Sequence, residues 1–186
     1  TERVVRNAAG ETLDVEFLLA SPDFERIVLP YIQNLKSLGI NARARVVDTA
    51  QYQRRENTRD FDVIVENFGQ SHSPGNEQRD YWGSAAAKTE SSRNTTGISN
   101  PAIDKIIDKI VFAKDRDELV AATRALDRVL LASYLVVPNW HYPFDRIASW
   151  DIFGRTAKQP SQAVSPLQTW WIDDAKQKAV SAALGR

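Results

Sequence analysis

Leu13, Val15, Phe17 and Leu19 fall on one parity with Asp14, Glu16 and Leu18 between them, the period of a strand. The pattern then changes. Ser21 suits an N-cap, Pro22 a first helical position, and Asp23 and Glu25 the positive end of a helix dipole. Phe24, Ile27, Val28, Tyr31, Leu35 and Leu38 recur on one helical face, and Gly39 ends the run. Pro30 removes a backbone donor inside this helix and predicts a kink. Alternation returns with Ala42, Ala44 and Val46 set between Arg43 and Arg45. Asp48 caps a short helix carrying Tyr52, and Phe61–Val65 reads as a third strand. Strand, helix, strand, helix, strand at these spacings predicts an α/β fold, with a largely parallel sheet, right-handed crossovers and flanking helices.

The third strand runs into Asn67, Gln70, Ser71, His72, Ser73, Asn76 and Glu77, interspersed with Gly69, Pro74 and Gly75. A polar, turn-forming segment beyond the carboxyl end of such a strand is where an open α/β sheet presents a ligand site. Glu77 to Ala87 reads as a helix bearing Tyr81 and Trp82, and Lys88 to Asn100 as a surface loop. Asn100 and Pro101 open the clearest helix, with Ile103, Ile106, Ile107, Ile110 and Val111 as its buried stripe. Asp115 or Arg116 starts another, facing inward through Leu119, Ala122, Leu126, Val129 and Leu130. Leu135 to Pro138 predicts a strand leading into Trp140 and His141, and Arg146 to Trp150 one more. Periodicity is lost from Gly154 to Pro166.

Composition narrows the chemistry. The 186 residues fit one domain, and 24 basic against 24 acidic residues leave no net field to favour nucleic acid or anionic lipid. There is no cysteine, which removes thiol nucleophiles, disulfides and thiolate metal sites. There is also no methionine, and the chain opens on Thr1, which reads as a piece of a longer protein. Gly69-Gln70-Ser71-His72-Ser73 looks like a nucleophile elbow but lacks its closing glycine, and adjacent Ser71 and His72 are poorly placed to bond to each other. His72 and His141 show no metal-ligand spacing, and polar groups lining a cleft are the simpler reading. Trp82 and Trp140 sit beside polar residues at element ends and suit stacking on a ligand, whereas Trp150, Trp170 and Trp171 suit a core. Arg43, Arg45, Arg54, Arg55 and Arg59 read as a solvated face, and Asn94-Thr95-Thr96 matches a glycosylation triplet.

Several stretches together resemble a known family. They are Gly39-Ile40, Gln51-Tyr52, Phe61-Asp62, Ser71-His72-Ser73-Pro74-Gly75-Asn76-Glu77, Asn94-Thr95-Thr96-Gly97-Ile98, Asn100-Pro101-Ala102-Ile103-Asp104, Val137-Pro138 and Trp170-Trp171. The chain is similar to the C-terminal lobe of family 5 extracellular solute-binding proteins, in their YejA-like branch. The resemblance implies a periplasmic-binding-protein-like lobe spanning residues 1–186, joined to a missing N-terminal lobe through 1–12 and 166–186. It implies a periplasmic receptor that passes peptides or peptide-like solutes to the membrane permease of an ABC importer, without catalysis, cofactor, metal or nucleic acid. The ligand-contacting residues would be Asn67, Phe68, Gln70, Ser71, His72, Ser73, Asn76, Trp82, Trp140 and His141. Many peptide-binding relatives carry an Asp just after the strand corresponding to Phe61–Phe68, where it pairs with the ligand's ammonium group. Ser71 or a neighbour holds that place here. Two other readings are a hydrolase acting on peptides or glycans, and the same receptor fold taking nickel or haem.

Overall fold

The computed structural model describes residues 4–141, 144, 146–157 and 165–185. The chain divides into two compact units, Thr1–Val136 and Val137–Arg186.

The first unit is built on β1 (Asp14–Leu19), the middle strand of a three-stranded parallel sheet. It pairs with β2 (Asn41–Val46) along its length and with β3 (Val63–Ile64) through Phe17 and Leu18. Between β1 and β2 a short 3₁₀ turn (Pro22–Phe24) leads into α1 (Glu25–Ser37), with the Ser21 hydroxyl accepting from Asp23 N at 3.2 Å. The helix continues through Pro30, whose side is exposed. At its end Gly39 takes φ +86°, and Gly39 N and Ile40 N close onto Lys36 and Leu35 carbonyls. Val28 and Ile32 bury against Phe17 and Leu19, each contributing roughly 2 kcal/mol of apolar burial. Ile32, rather than the expected Leu38, completes this face; Leu38 is the cap just past the helix's end, exposed.

The other parity of β1 carries Glu16, which is only 6% exposed. Arg43 on β2 reaches its Oε2 at 2.9 Å, and Arg55 on α2 (Thr49–Thr58) reaches Oε1 at 3.0 Å. Arg45 lies 3.7 Å away. The arginines expected as a solvated face therefore converge, in part, on one buried carboxylate. Arg59 ends α2 at φ +55°, a left-handed conformation that costs a non-glycine residue about 1 kcal/mol. Its guanidinium is aimed into four acceptors, the carbonyls of Ala86, Thr89 and Asn94 and the Ser92 hydroxyl. Those bonds tie α2 to residues 86–94.

The expected Glu77–Ala87 helix is two, α3 (Glu77–Trp82) and α4 (Ser84–Ala87). Gly83 separates them in extended backbone, and a Cβ there would stand 2.5 Å from the Arg79 carbonyl oxygen. Next come α5 (Pro101–Val111) and α6 (Arg116–Ala132), capped by Asn100 and Asp115 side chains that accept from Ala102 N and Glu118 N. Ile103, Ile107 and Ile110 pack with Tyr81, Trp82 and Leu126 into a second core.

In the second unit, β4 (Phe153–Arg155) and β5 (Trp170–Ile172) form an antiparallel pair, β5 following directly on α7 (Pro166–Thr169). Asp173 caps α8 (Asp174–Ala183). The strands expected at Leu135–Pro138 and Arg146–Trp150 do not form. Their apolar residues suit a pleat, but no strand pairs with them among the described residues. Trp150 and Trp171 are exposed rather than core. Among the described residues no helix is long and apolar enough to cross a membrane.

Candidate functional site

Because β1 and β3 run parallel, the backbone leaving Ile64 emerges at the carboxyl edge of the sheet. Asn67, Gln70, Ser71, His72, Ser73 and Asn76 are all exposed there, and Phe68 is half-buried. The loop is pinned mainly by its backbone. Tyr81 Oη donates to the Gly69 carbonyl at 3.1 Å, and Arg116 Nη1 donates to the His72 carbonyl at 2.6 Å. Ser71 Oγ accepts from Ser73 N, forming a local turn. Gln78, buried in α3, donates its amide to Gln70 Oε1 at 2.8 Å. Glu77 Oε1 accepts from Gly75 N at 2.9 Å and so fixes the loop's far end. Burial works against the Glu77 charge, but bonds from Gly75 N, its own N and the Gln78 amide outweigh it and hold the carboxyl below the usual range.

Phe68 anchors the loop inward. Its ring lies 5.4 Å from Tyr81 edge-on and 4.6 Å from Trp82, centroid to centroid. Trp82, expected to stack on a ligand, is 5% exposed and belongs to the core beneath Phe68. A bulky aromatic on the inner face of a short helix buries more area there than it could at a rim. Trp140 and His141 belong to the second unit, where both are exposed. Asn94 is completely buried, its amide donating to the Gly83 and Ile98 carbonyls at 3.0 Å, so the glycosylation triplet is closed within the fold.

A cavity of about 160 Å³ opens where α2 meets the start of the loop, lined by Glu56, Asn57, Glu66, Asn67, Phe68 and Arg93 among others. The Arg93 guanidinium stacks 4.5 Å above the Tyr81 ring. Tyr52 Oη donates to the Val65 carbonyl at 3.3 Å, and burial, with the charges of Glu56 and Glu66, pushes its phenol up to about 12. Sequence periodicity marked none of Glu56, Glu66, Arg93 or Gln78, because each is a polar residue whose role depends on a neighbour far along the chain. Among the described residues no three His, Cys, Asp or Glu side chains gather as a metal would require.

No family model matches the chain. Individual proteins do. The y4wM protein of Sinorhizobium fredii is 50% identical over 173 residues, which are 93% of this chain and 26% of that protein. A probable peptide-binding protein, YejA of Agrobacterium fabrum, is 48% identical over 93% of this chain and 28% of its own length. The chain is similar to YejA proteins over nearly its whole length. It spans about a quarter of the length of these curated relatives. Among solved structures it is similar to the oligopeptide-binding protein AppA of Bacillus subtilis, in complex with a nonapeptide. That match has a TM-score of 0.62 and 18% identity over 90% of this chain and 33% of AppA. At that identity the likeness is one of fold, and the fold of this YejA-like chain is periplasmic-binding-protein-like.

Proposed function

We propose that this chain is a ligand-binding part of a periplasmic receptor that captures peptides or peptide-like solutes for an ABC importer, and that it performs no chemistry of its own. The observation that carries the reading is the loop beyond β3. Its backbone is fixed by Tyr81 and Arg116 while Asn67, Ser71, His72, Ser73 and Asn76 stand exposed, in a chain nearly half identical to a probable peptide-binding protein. Exposed hydroxyls and amides on a fixed frame recognise peptide backbone by hydrogen bonds, directly or through water. Phe68 supplies apolar contact at the loop's root, Gln70 is oriented by Gln78, and Trp82 supports from below. The remaining ligand contacts are made by a second lobe of the full-length receptor.

Calorimetry of the full-length receptor with a mixed peptide library tests this, followed by recovery of the peptide. Saturable binding, weakened at least about tenfold by Ser71→Ala combined with Asn67→Ala, and intact recovered peptide are expected. Peptide turnover, or affinity unmoved by the double substitution, overturns it.

A further inference from the structure

In the loop beyond β3, the two ends of the Gln70 amide are not equivalent. Its Oε1 accepts at 2.8 Å from Nε2 of Gln78, a side chain only 4% exposed. The same Gln78 nitrogen donates to Glu77 Oε1 at 3.3 Å. Glu77 settles which way round both amides stand. Its carboxyl, which also accepts from Gly75 N at 2.9 Å, is held below the usual range, so at neutral pH it is ionised and can only accept. An amide oxygen set against it would be repelled, so Gln78 turns its NH2 that way. That NH2 then meets Gln70 through oxygen. The Gln70 Nε2 hydrogens are left on the free arm of an exposed side chain, with no acceptor among the described residues. The backbone on either side is fixed, Gly69 by Tyr81 and His72 by Arg116. Ser71, between them, gives an Oγ lone pair to Ser73 N at 3.1 Å and keeps its own proton to donate.

We propose that Glu77 and Gln78 are positioning residues that make Gln70 a dedicated hydrogen-bond donor, which with Ser71 selects an acceptor oxygen of the peptide, a backbone carbonyl or the terminal carboxylate. The role rests on the peptide-binding reading and adds to it which pole of the ligand this stretch takes. A free glutamine swivels to offer either oxygen or nitrogen, and so discriminates little. One whose oxygen is already engaged has only donors left. An ammonium or an amide N–H placed against it leaves both partners unpaired, which counts against that ligand or that register. Setting the amide before the ligand arrives also avoids part of the side-chain entropy otherwise lost on binding.

Gln70→Glu in the full-length receptor tests this, because it keeps the shape and the oxygen facing Gln78 but puts a second oxygen where the donor was. Calorimetry at neutral pH should show peptide affinity at least about tenfold weaker than in the unsubstituted receptor. That gap should close as pH falls through the ordinary glutamate range, where the new carboxyl regains a proton to donate. Peptides with free and with amidated C-termini separate the two sources. A deficit confined to the free acid assigns the terminal carboxylate, and an equal deficit in both assigns a carbonyl. NMR of the glutamine-labelled receptor without ligand reads the amides directly, the Gln70 signal being the one absent in Gln70→Glu. Exchange of the side-chain NH2 should be fast for Gln70 and slow for Gln78, and the Gln70 dipolar couplings should average toward zero in Gln78→Met. Equal or tighter peptide binding by Gln70→Glu, a protected Gln70 NH2, or couplings unmoved in Gln78→Met overturns the proposal and leaves the peptide-binding reading standing. An unsubstituted receptor that takes no peptide overturns both.

Discussion

At the scale of single residues, two buried polar side chains, Glu16 and Asn94, tie distant parts of the chain together. Glu16 is buried under three guanidiniums, of which Arg43 and Arg45 are 64% and 52% exposed. Solvent therefore answers part of the charge that Glu16→Gln would remove, and the expected loss is roughly 2 kcal/mol, less than for a fully buried pair. Burial opposes the Glu16 charge, yet hydrogen bonds from Arg43 and Arg55 and the charge of Arg45 outweigh it and hold the carboxyl below its usual range. A pKa lowered by folding contributes stability above the unfolded value, lost as pH falls through the folded one. Denaturant unfolding at a series of acidic pH values should show that loss in the native protein and a flatter limb in Glu16→Gln. Asn94 makes a sharper case. Asn94→Asp exchanges two donors for a carboxylate facing the Gly83 and Ile98 carbonyls, and is expected to cost about 3 kcal/mol, read as a fall of several degrees in melting temperature.

At the scale of elements, local signals and long-range ones separate cleanly. Asn100-Pro101 and Asp115 announced α5 and α6 because caps are short-range chemistry, and the isoleucine stripe at helical spacing marked the buried face. Ile107→Ala, in the most buried part of that stripe, should cost about 4 kcal/mol and lower the denaturant midpoint of the first unit. The three parallel strands were legible from alternation and spacing. What sequence could not supply was pairing: Leu135–Pro138 and Arg146–Trp150 have strand composition without a neighbouring edge to complete it. The break at Gly83 was hidden for a related reason, since the clash that forbids a side chain there comes from Arg79 in the turn before. The loop after β3 was legible as a polar site, but Trp82 was misplaced because its polar sequence neighbours point away from the core it enters.

At the scale of the whole molecule, the chain spans about a quarter of the length of its relatives. If the ligand is held between this chain and another lobe, contacts from one side alone give little affinity, because the ligand stays open to water. This chain by itself is expected to bind peptide at least about a hundredfold more weakly than the full-length receptor. Calorimetry on both decides it, and nanomolar affinity for residues 1–186 alone would contradict the two-sided site.

The loop's moorings through the Gly69 and His72 carbonyls have an evolutionary corollary. A carbonyl oxygen is present whatever residue carries it. The side chains at positions 71, 72 and 76 can thus be exchanged without loosening those two moorings, leaving selectivity free to drift among descendants while the architecture beneath it stays constant.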